Sequence, residues 1–586
     1  MEKWFVQAKK ADFNQIAHKF NIDPVTARLI RNRDIETEEE IEYYINGNLN
    51  NLHNPRLMKD MDKAVSIIKQ KIEEKKHIRV IGDYDIDGVT STYILQKGLT
   101  RCNANVDIEI PDRMSDGYGI NERLIQTAYD EGVDTILTCD NGIAAINQID
   151  FAKKRGFTVI VTDHHDIPYI EESGIKTYLS SKADAIVNPK QIECGYPFDG
   201  LCGAAIAYKF IECLYEEHNI PRAELFEFIE YVAVATIGDV MDLKDENRIF
   251  VKAGLIRLRE TKNPGLDALI RINGIEKEIL SSYHIGFVLG PCINASGRLD
   301  TAKRALELLC TVDRDKAEEI AGDLKALNDS RKSMTQKGLE EAVEQVETTD
   351  IKGDKILVIY IPECHESLAG IIAGRIRERY NKPVFVLTKS EEGIKGSGRS
   401  TPTYNMFEEM NKCRDLFTKY GGHPMAAGLS LPEENLTPFR KKINEITTLT
   451  EDDFVVKVSI DIPMPIHYIT ESLIEEFTIL EPFGKGNPKP VFAEKEINIL
   501  GARIFGKNKN VIKMRVRNQY GTYMDAMYFG NVEVFEEYIC SKFGRQQLAN
   551  LYQNRENTVF LSLTYYPAIH EYGGKKSIQI VIQNFQ

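Results

Sequence analysis

Ile78-Arg79-Val80-Ile81-Gly82-Asp83-Tyr84-Asp85-Ile86-Asp87-Gly88 is the stretch from which the fold of this chain is read. Four apolar-rich residues predict a short buried strand, and three alternating aspartates follow it at once. A second island repeats the plan. Thr158-Val159-Ile160-Val161 leads into Asp163-His164-His165-Asp166. Loops at the carboxyl ends of parallel strands are where open α/β sheets build their sites. Carboxylates and imidazoles crowded there are compatible with folding if divalent cations neutralise them. The pattern points to metal-dependent chemistry on a phosphorylated substrate.

Around the islands, residues 78 to 240 alternate short apolar strands with helical stretches. Val106-Asp107-Ile108-Glu109-Ile110, Thr135-Ile136-Leu137-Thr138 and Ala185-Ile186-Val187 are further strands. This is the signature of βαβ units and a parallel sheet. Residues 1–75 read as a polar, mostly helical segment. Residues 300 to 350 read as a long helical connector, with Ile320, Leu324 and Leu327 at helical spacing. A second α/β pattern begins at Lys355-Ile356-Leu357-Val358-Ile359-Tyr360 and ends near 450. From 455 to 586 short alternating segments such as Val511 to Arg517 and Thr558 to Leu563 predict a small β-barrel of the oligonucleotide-binding kind.

A chain of 586 residues is too long for one core. Its 28% charged and 42% hydrophobic residues are ordinary for a globular protein. Met1-Glu2-Lys3-Trp4 begins no signal pattern and no apolar run approaches the length of a membrane span, so a cytoplasmic location is expected. Ten cysteines without a Cys-x-x-Cys pair read as reduced thiols, not disulfides or a zinc site. The net charge of −14 argues against nucleic acid at first sight. A local basic groove can coexist with an acidic whole. Residues 501–520 hold Arg503, Lys507, Lys509, Lys513, Arg515 and Arg517 without one acid, and Tyr520, Tyr523, Tyr528 and Phe529 follow. On an alternating strand Lys513, Arg515 and Arg517 share a face, which fits single-strand binding.

In the first island, Asp85 and Asp87 can each reach a different ion or share one. Val89-Thr90-Ser91-Thr92 is expected to open a helix whose N–H groups favour phosphate. A calcium loop starting at Asp83 would need a carboxylate at its twelfth position, where Ile94 stands. Asp140, after Thr138-Cys139, and Asp239, after Ile237-Gly238, add two more carboxylates at the ends of apolar stretches. Hard oxygens with some imidazole suit Mn²⁺ or Mg²⁺ better than Zn²⁺.

Asp-Tyr-Asp-Ile-Asp-Gly (83–88), Asp-Asn-Gly (140–142) and Asp-His-His (163–165) resemble the motifs of the DHH phosphoesterase superfamily. Ile110-Pro111-Asp112-Arg113 with Gly117-Tyr118-Gly119, Ala185 to Lys190, Gly290 to Leu299 and Leu480 to Pro488 resemble its RecJ branch of single-strand-specific 5′→3′ exonucleases. The similarity runs from about residue 75 to at least 530. It implies a parallel-sheet DHH domain (76–300), a helical connector (301–350), a smaller α/β DHHA1 domain (351–450) and an OB-like nucleic-acid-binding domain (455–586).

The resemblance also implies roles. Asp85 binds one of two ions and Asp87 the other, Asp140 bridges them, His164 and Asp239 complete the second site, and Asp83 stands in or next to the ligand set. His165 touches the scissile phosphate or an ion, and Asp163 orients the His pair. Lys395-Gly396-Ser397-Gly398-Arg399-Ser400 and Gly421-Gly422-His423 resemble the DHHA1 markers. Ser397 and Arg399 then grip the 5′-terminal phosphate and His423 bonds the phosphate being cleaved. Arg113, Tyr118 and Arg298 line the strand path, Tyr118 by stacking a base. The implied activity is Mn²⁺- or Mg²⁺-dependent hydrolysis of single-stranded DNA to 5′-mononucleotides in recombination and repair. It implies a monomer that touches no membrane and works with a single-strand-binding protein and a helicase. A small-substrate phosphodiesterase has no use for the long carboxyl-terminal segment, and a non-catalytic scaffold has none for an intact ligand set. The chain departs from the family pattern at Cys292 (usually Arg, so one DNA contact is lost), Cys364 (often Trp) and Asp242 (usually Pro).

Overall fold

The structure is a computed structural model and describes residues 2–586 apart from 114–115, 173–174, 391–392 and 507–509. The chain forms two compact units. One comprises residues 52–241 and 250–456, the other residues 2–51, 242–249 and 457–586.

The first unit opens on a five-stranded parallel sheet. Its strands are β1 (His77–Ile81), β2 (Asn105–Glu109), β3 (Thr135–Cys139), β4 (Thr158–Thr162) and β5 (Ala185–Val187), in the order β2-β1-β3-β4-β5. β3 and β5 are buried along their whole length, so β-branched and other apolar residues fill them instead of alternating with polar ones. After β1 the chain crosses to β2 on one side and returns to β3 on the other. The switch point of the sheet therefore lies between the carboxyl ends of β1 and β3, where a crevice opens. Helix α1 (Ile86–Arg101) follows β1. It starts a turn earlier than expected, because the Asp85 carboxylate caps it by accepting from the N–H of Asp87 (3.0 Å) and Gly88 (3.1 Å). The Thr90, Ser91 and Thr92 hydroxyls turn back onto the carbonyls of Ile86, Asp87 and Gly88. They therefore satisfy the helix, not a ligand.

Helices α2 (Gly203–Glu217), α3 (Ile229–Gly238) and α4 (Gly290–Leu299) complete the crevice. Helix α5 (Arg314–Thr348), 35 residues long, then carries the chain into a second sheet. That sheet contains β6 (Leu357–Tyr360), β7 (Val384–Ser390), β8 (Gly393–Arg399), β9 (Lys419–His423) and β10 (Ala426–Leu431), ordered β9-β10-β8-β7-β6. Helix α6 (Ala369–Tyr380) packs Ile372 and Ile376 with Val384 and Val386 on one face of β6 and β7. Phe385, Leu387 and Ile394 point to the other face, into a core with Phe439 and Ile443.

The second unit is a barrel. Strands β11 (Ile462–Pro463), β12 (Phe492–Phe505), β13 (Val511–Arg517), β14 (Tyr523–Tyr528), β15 (Phe560–Tyr572) and β16 (Lys575–Phe585) run in the order β11-β12-β13-β14-β16-β15, and a β12–β15 pairing closes the ring. Residues 2–51 share its core, through Leu29, Ile30, Ile41 and Tyr44. Arg33 donates to Asn487 Oδ1 and Pro488 O (2.6 Å each). The Arg248 guanidinium bonds the carbonyls of Tyr44, Ile479 and Leu480. No described helix is long and apolar enough to cross a membrane. All ten cysteines are free thiols.

Candidate metal centre and phosphate-binding face

The β1 loop and the first turn of α1 place Asp83, Asp85 and Asp87 at the switch-point crevice. The β3 loop adds Asp140, the β4 loop His164 and His165, and the end of α3 Asp239. Ligand atoms of Asp83, Asp85 and Asp140 lie within 4.8 Å of one another, as do those of Asp87, His164 and Asp239 and those of Asp140, His164 and His165. His164 Nε2 is 3.0 Å from Asp140 Oδ1, 3.5 Å from Asp87 Oδ2 and 3.8 Å from Asp239 Oδ2. Asp140 thus stands between a carboxylate group on one side and a mixed imidazole–carboxylate group on the other.

Local structure holds each ligand. Asp87 is buried and its carboxylate accepts the N–H of Gly203 (2.6 Å) and Ala204 (2.7 Å) at the start of α2, where a helix favours negative charge. Gly203 is needed there, because an added Cβ would come within 2.8 Å of Asp140 Cβ. Asp140 has φ +59°, a left-handed conformation that Asp tolerates better than most residues. Its N–H bonds Thr162 O at 3.1 Å, and its carbonyl accepts from the Tyr118 hydroxyl at 2.8 Å. Asp163 Oδ1 accepts from the N–H of His164 (2.7 Å) and His165 (3.1 Å) and pairs with His165 Nδ1 (2.8 Å). Asn294 Oδ1 accepts the Ile86 N–H at 2.8 Å and fixes the first island from α4.

The electrostatics call for cations. Burial, then the neighbouring Asp85, pushes Asp83 up to about 8 and Asp87 up to about 7. Burial, then Asp87, raises Asp140 well above the usual carboxylate range. Burial, then His165, pushes His164 down to about 3, so its imidazole is neutral and available as a ligand. His165 goes the other way: burial lowers it, but the Asp163 hydrogen bond and charge more than offset this and raise it to about 9. Among the described residues, Asp83 Oδ2 and Asp140 Oδ1 are buried with no hydrogen-bond donor. Buried carboxylate oxygens without a donor, beside a neutral imidazole, fit hard divalent cations.

The second sheet belongs to the same compact unit. Arg298 Nη1, from α4, donates to Ser367 O at 2.9 Å and ties the two sheets' layers together. The Arg113 guanidinium lies over the Tyr84 ring at 5.0 Å, and Tyr84 meets Tyr118 edge-on at 6.2 Å. Arg113 and Ser397 line one cavity. Arg399, on the same strand face as Ser397, is lowered by burial and then by the neighbouring Arg377 charge. His423 is exposed, and its Nδ1 accepts the Met425 N–H at 3.3 Å.

Several side chains do more, or other, than their letters suggest. Tyr118 is expected to stack a base. The residue is 52% exposed, but its hydroxyl is committed to the Asp140 carbonyl and lies 3.2 Å from His165 Nε2. Cys292 is buried, and its sulfur accepts from Asn328 Nδ2 at 3.3 Å, so in this chain position 292 faces the α5 helix instead of a strand path. In the barrel, Lys513 and Arg515 both pair with Asp525, at 2.9 and 2.7 Å, because Asp525 sits directly opposite Arg515 on β14. Among the described residues Arg517 has no ion-pair partner, and it lies beside the Tyr523 ring at 5.9 Å. Lys507 and Lys509 lie outside the described residues. The Gly203 and Ala204 N–H donors have no signal in their own segment that assigns them to the crevice, and Asn294, although inside the Gly290–Leu299 motif, is not among the residues to which the resemblance gives a role.

Comparison with known proteins agrees with this architecture. The model of the DHH family N-terminal domain matches residues 77–236, that of the DHHA1 domain residues 353–448, and that of the RecJ OB domain residues 460–584. The single-stranded-DNA-specific exonuclease RecJ of Bacillus subtilis is 36% identical over 91% of this chain, which spans 66% of that protein. The proteins of the same name from Haemophilus influenzae and Escherichia coli are each 30% identical, over 97% and 99% of both chains respectively. The crystal structure of Thermus thermophilus RecJ in complex with Mn²⁺ superposes with a TM-score of 0.82 at 24% identity, over 100% of this chain and 79% of that one, a likeness of fold. A crystal structure of exonuclease RecJ bound to manganese matches at 31% identity and a TM-score of 0.58, over 68% of this chain and 96% of that one. With the three domain models in order and end-to-end relatives at this identity, the chain belongs to the RecJ family.

Proposed function

We propose that the chain is a metal-dependent exonuclease that hydrolyses single-stranded DNA from the 5′ end to 5′-mononucleotides, in recombination and repair. The observation that carries this reading is the pairing, within one compact unit, of a carboxylate–imidazole cluster with a cationic, hydroxyl-bearing sheet face. Asp83, Asp85, Asp87, Asp140, His164 and Asp239 would hold two Mn²⁺ or Mg²⁺ ions, with Asp140 shared. Bound there, the ions supply Lewis acidity and a water acidified for attack at neutral pH.

The protein's own groups do the rest. His165, kept protonated by Asp163, presents an imidazolium to the scissile phosphate. His423 donates to the same phosphate. Ser397 and Arg399 hold the 5′-terminal phosphate one nucleotide away, which sets both the polarity and the size of the product. Arg113 and Arg298 neutralise the backbone between, and the Tyr84–Tyr118 pair offers aromatic surface to the bases. The barrel face with Arg517, Tyr520 and Tyr523 takes the downstream strand. A monomer in the cytoplasm, working with a single-strand-binding protein and a helicase, fits a substrate that must first be unwound.

The test is digestion of end-labelled single-stranded DNA, duplex DNA and RNA in Mn²⁺, Mg²⁺ or EDTA. Mononucleotides released first from the 5′ end of the single strand, and lost in EDTA, are expected. Release from the 3′ end, or equal rates on duplex DNA, would overturn the reading.

A further inference from the structure

Beyond the Arg399–His423 level, the same sheet face carries groups that the reading above leaves unused. Register lines the residues up in rows across β8, β10 and β9. Arg399 stands level with Ala426 and His423, Ser397 with Gly428 and Gly421, and Lys395 with Ser430 and Lys419. Successive rows are two residues apart, about 6.8 Å at strand rise. The middle row is a trough. A Cβ added at Gly421 would meet nothing within 4 Å, and one at Gly428 only Gly396 O at 3.9 Å. A cavity of about 430 Å³ occupies this place, lined by Arg113, Ser397 and the whole Lys395–Ser430–Lys419 row.

Charge in the cavity is unbalanced. Arg113, Lys395 and Lys419 face a single acid, Glu366, leaving two positive charges in excess. Glu366 is engaged by Lys395 at 3.1 Å. Among the described residues the Lys419 ammonium has no ion-pair or hydrogen-bond partner, and the residue is exposed on the edge strand. Position matters as much as sign. On the proposed 5′→3′ reading the internal phosphates run from Ser397 and Arg399 toward His423, and register puts the Lys395–Lys419 row at the opposite end of the face from the Arg399–His423 row. An anion that reaches it must be attached to the 5′ end itself.

We propose that Lys395, Ser430 and Lys419 form a second anion subsite, for the β- and γ-phosphates of a single strand whose 5′ end carries a triphosphate. This rests on the proposed 5′→3′ reading, with the α-phosphate at Ser397 and Arg399. Lysines suit a polyphosphate as compact point charges, and the Ser430 hydroxyl adds a donor between them. Hydrolysis is the ordinary one. Water oxygen bonds to phosphorus of the first internucleotide linkage, the bond from phosphorus to O3′ breaks, and O3′ leaves with a proton. The product is a nucleoside 5′-triphosphate, and the shortened strand carries a 5′-monophosphate. The subsite therefore lets the enzyme start on ends that no phosphatase or pyrophosphohydrolase has trimmed.

The experiment compares one oligodeoxynucleotide sequence bearing 5′-hydroxyl, 5′-monophosphate or 5′-triphosphate, with the full-length protein in Mn²⁺. The first nucleotide released is identified by chromatography. Wild type is expected to release nucleoside triphosphate from the third strand with a kcat/KM at least equal to that on the second. Lys419→Ala and Lys395→Ala should lose about tenfold, or 1.4 kcal/mol, on the triphosphate strand alone, and Lys419→Glu more. Their unchanged rate on the monophosphate strand reports that they fold. Wild type that degrades the monophosphate strand but stalls on the triphosphate would overturn the subsite, as would equal losses on both strands. Failure of wild type on all three would overturn the 5′→3′ reading, and the subsite with it.

Discussion

The acidic edge of the first sheet and the cationic face of the second handle charge in opposite ways. At the acidic edge, like charges are buried together; Asp85 is fixed as a helix cap and Asp87 by the N–H groups of Gly203 and Ala204. Repulsion there is stored, and a cation releases it. On the cationic face, Lys419 stays exposed and glycines leave open space. Rigid crowding suits ions that must sit at defined places, while open, partly solvated cations suit a polymer end that arrives and departs on every cycle.

The sharpest way to break the comparison is Asp140→Asn. It keeps the shape, removes the shared charge, and is expected to cut nucleotide release by at least about a thousandfold. Because it also relieves repulsion, the metal-free variant should melt at a higher temperature than wild type at pH 8. Near-normal turnover in Mn²⁺ would mean that Asp140 is not shared between ions. Tyr118→Phe probes how the edge is held. Losing the hydroxyl that clamps the left-handed Asp140 peptide should lower kcat about tenfold with little change in KM for the strand. Tyr118→Ala should raise KM as well. A phenylalanine variant with wild-type kcat would leave base stacking as the only role.

Stored repulsion also predicts a pH dependence. Asp83 and Asp87, raised to about 8 and 7, and His165, raised to about 9, bind protons more tightly in the folded than in the unfolded chain. Their contribution is therefore present at low pH and lost as pH rises through those values. His164, depressed to about 3, acts oppositely, but only below its ordinary range near 6.5. In EDTA the melting temperature of the first unit should fall between pH 6.5 and 9, and Mn²⁺ should flatten the slope. Identical slopes with and without metal would sink this account. The smallest expected effect is in the barrel. Asp525→Ala frees Lys513 and Arg515, so binding to long single strands should tighten at low salt, with a salt slope steeper by about 1 to 2. An unchanged slope would mean that β13 does not face the strand.

What could be read from letters follows the same physics. Asp83 to Gly88 and Asp163 to Asp166 announce themselves because strand-end loops gather their chemistry within a few consecutive residues. The closed barrel shows in its alternation. Partners set by packing leave no such trace. Asp525 lies ten residues from Arg515 and meets it only through hairpin register. Gly203 and Ala204 reach Asp87 across more than a hundred residues. Residues 1–75 read as one separate helical segment, yet Leu29, Ile30 and Ile41 help fill the barrel core. Cutting the chain near 455 would open that core, so point variants such as Asp525→Ala test the barrel more cleanly than truncation does.

The 35-residue helix Arg314–Thr348 packs against α4 at one part of its length and against α6 at another. At about 1.5 Å per residue it is a strut of about 52 Å. A strut without a hinge works as a caliper, because the gap between the aspartates and the phosphate grip is held by hydrogen-bonded turns, not by a flexible linker. One inserted residue would swing the far jaw by about 100°. The bite therefore cannot drift by small steps in evolution, and a shift that keeps both jaws facing needs close to whole helical turns.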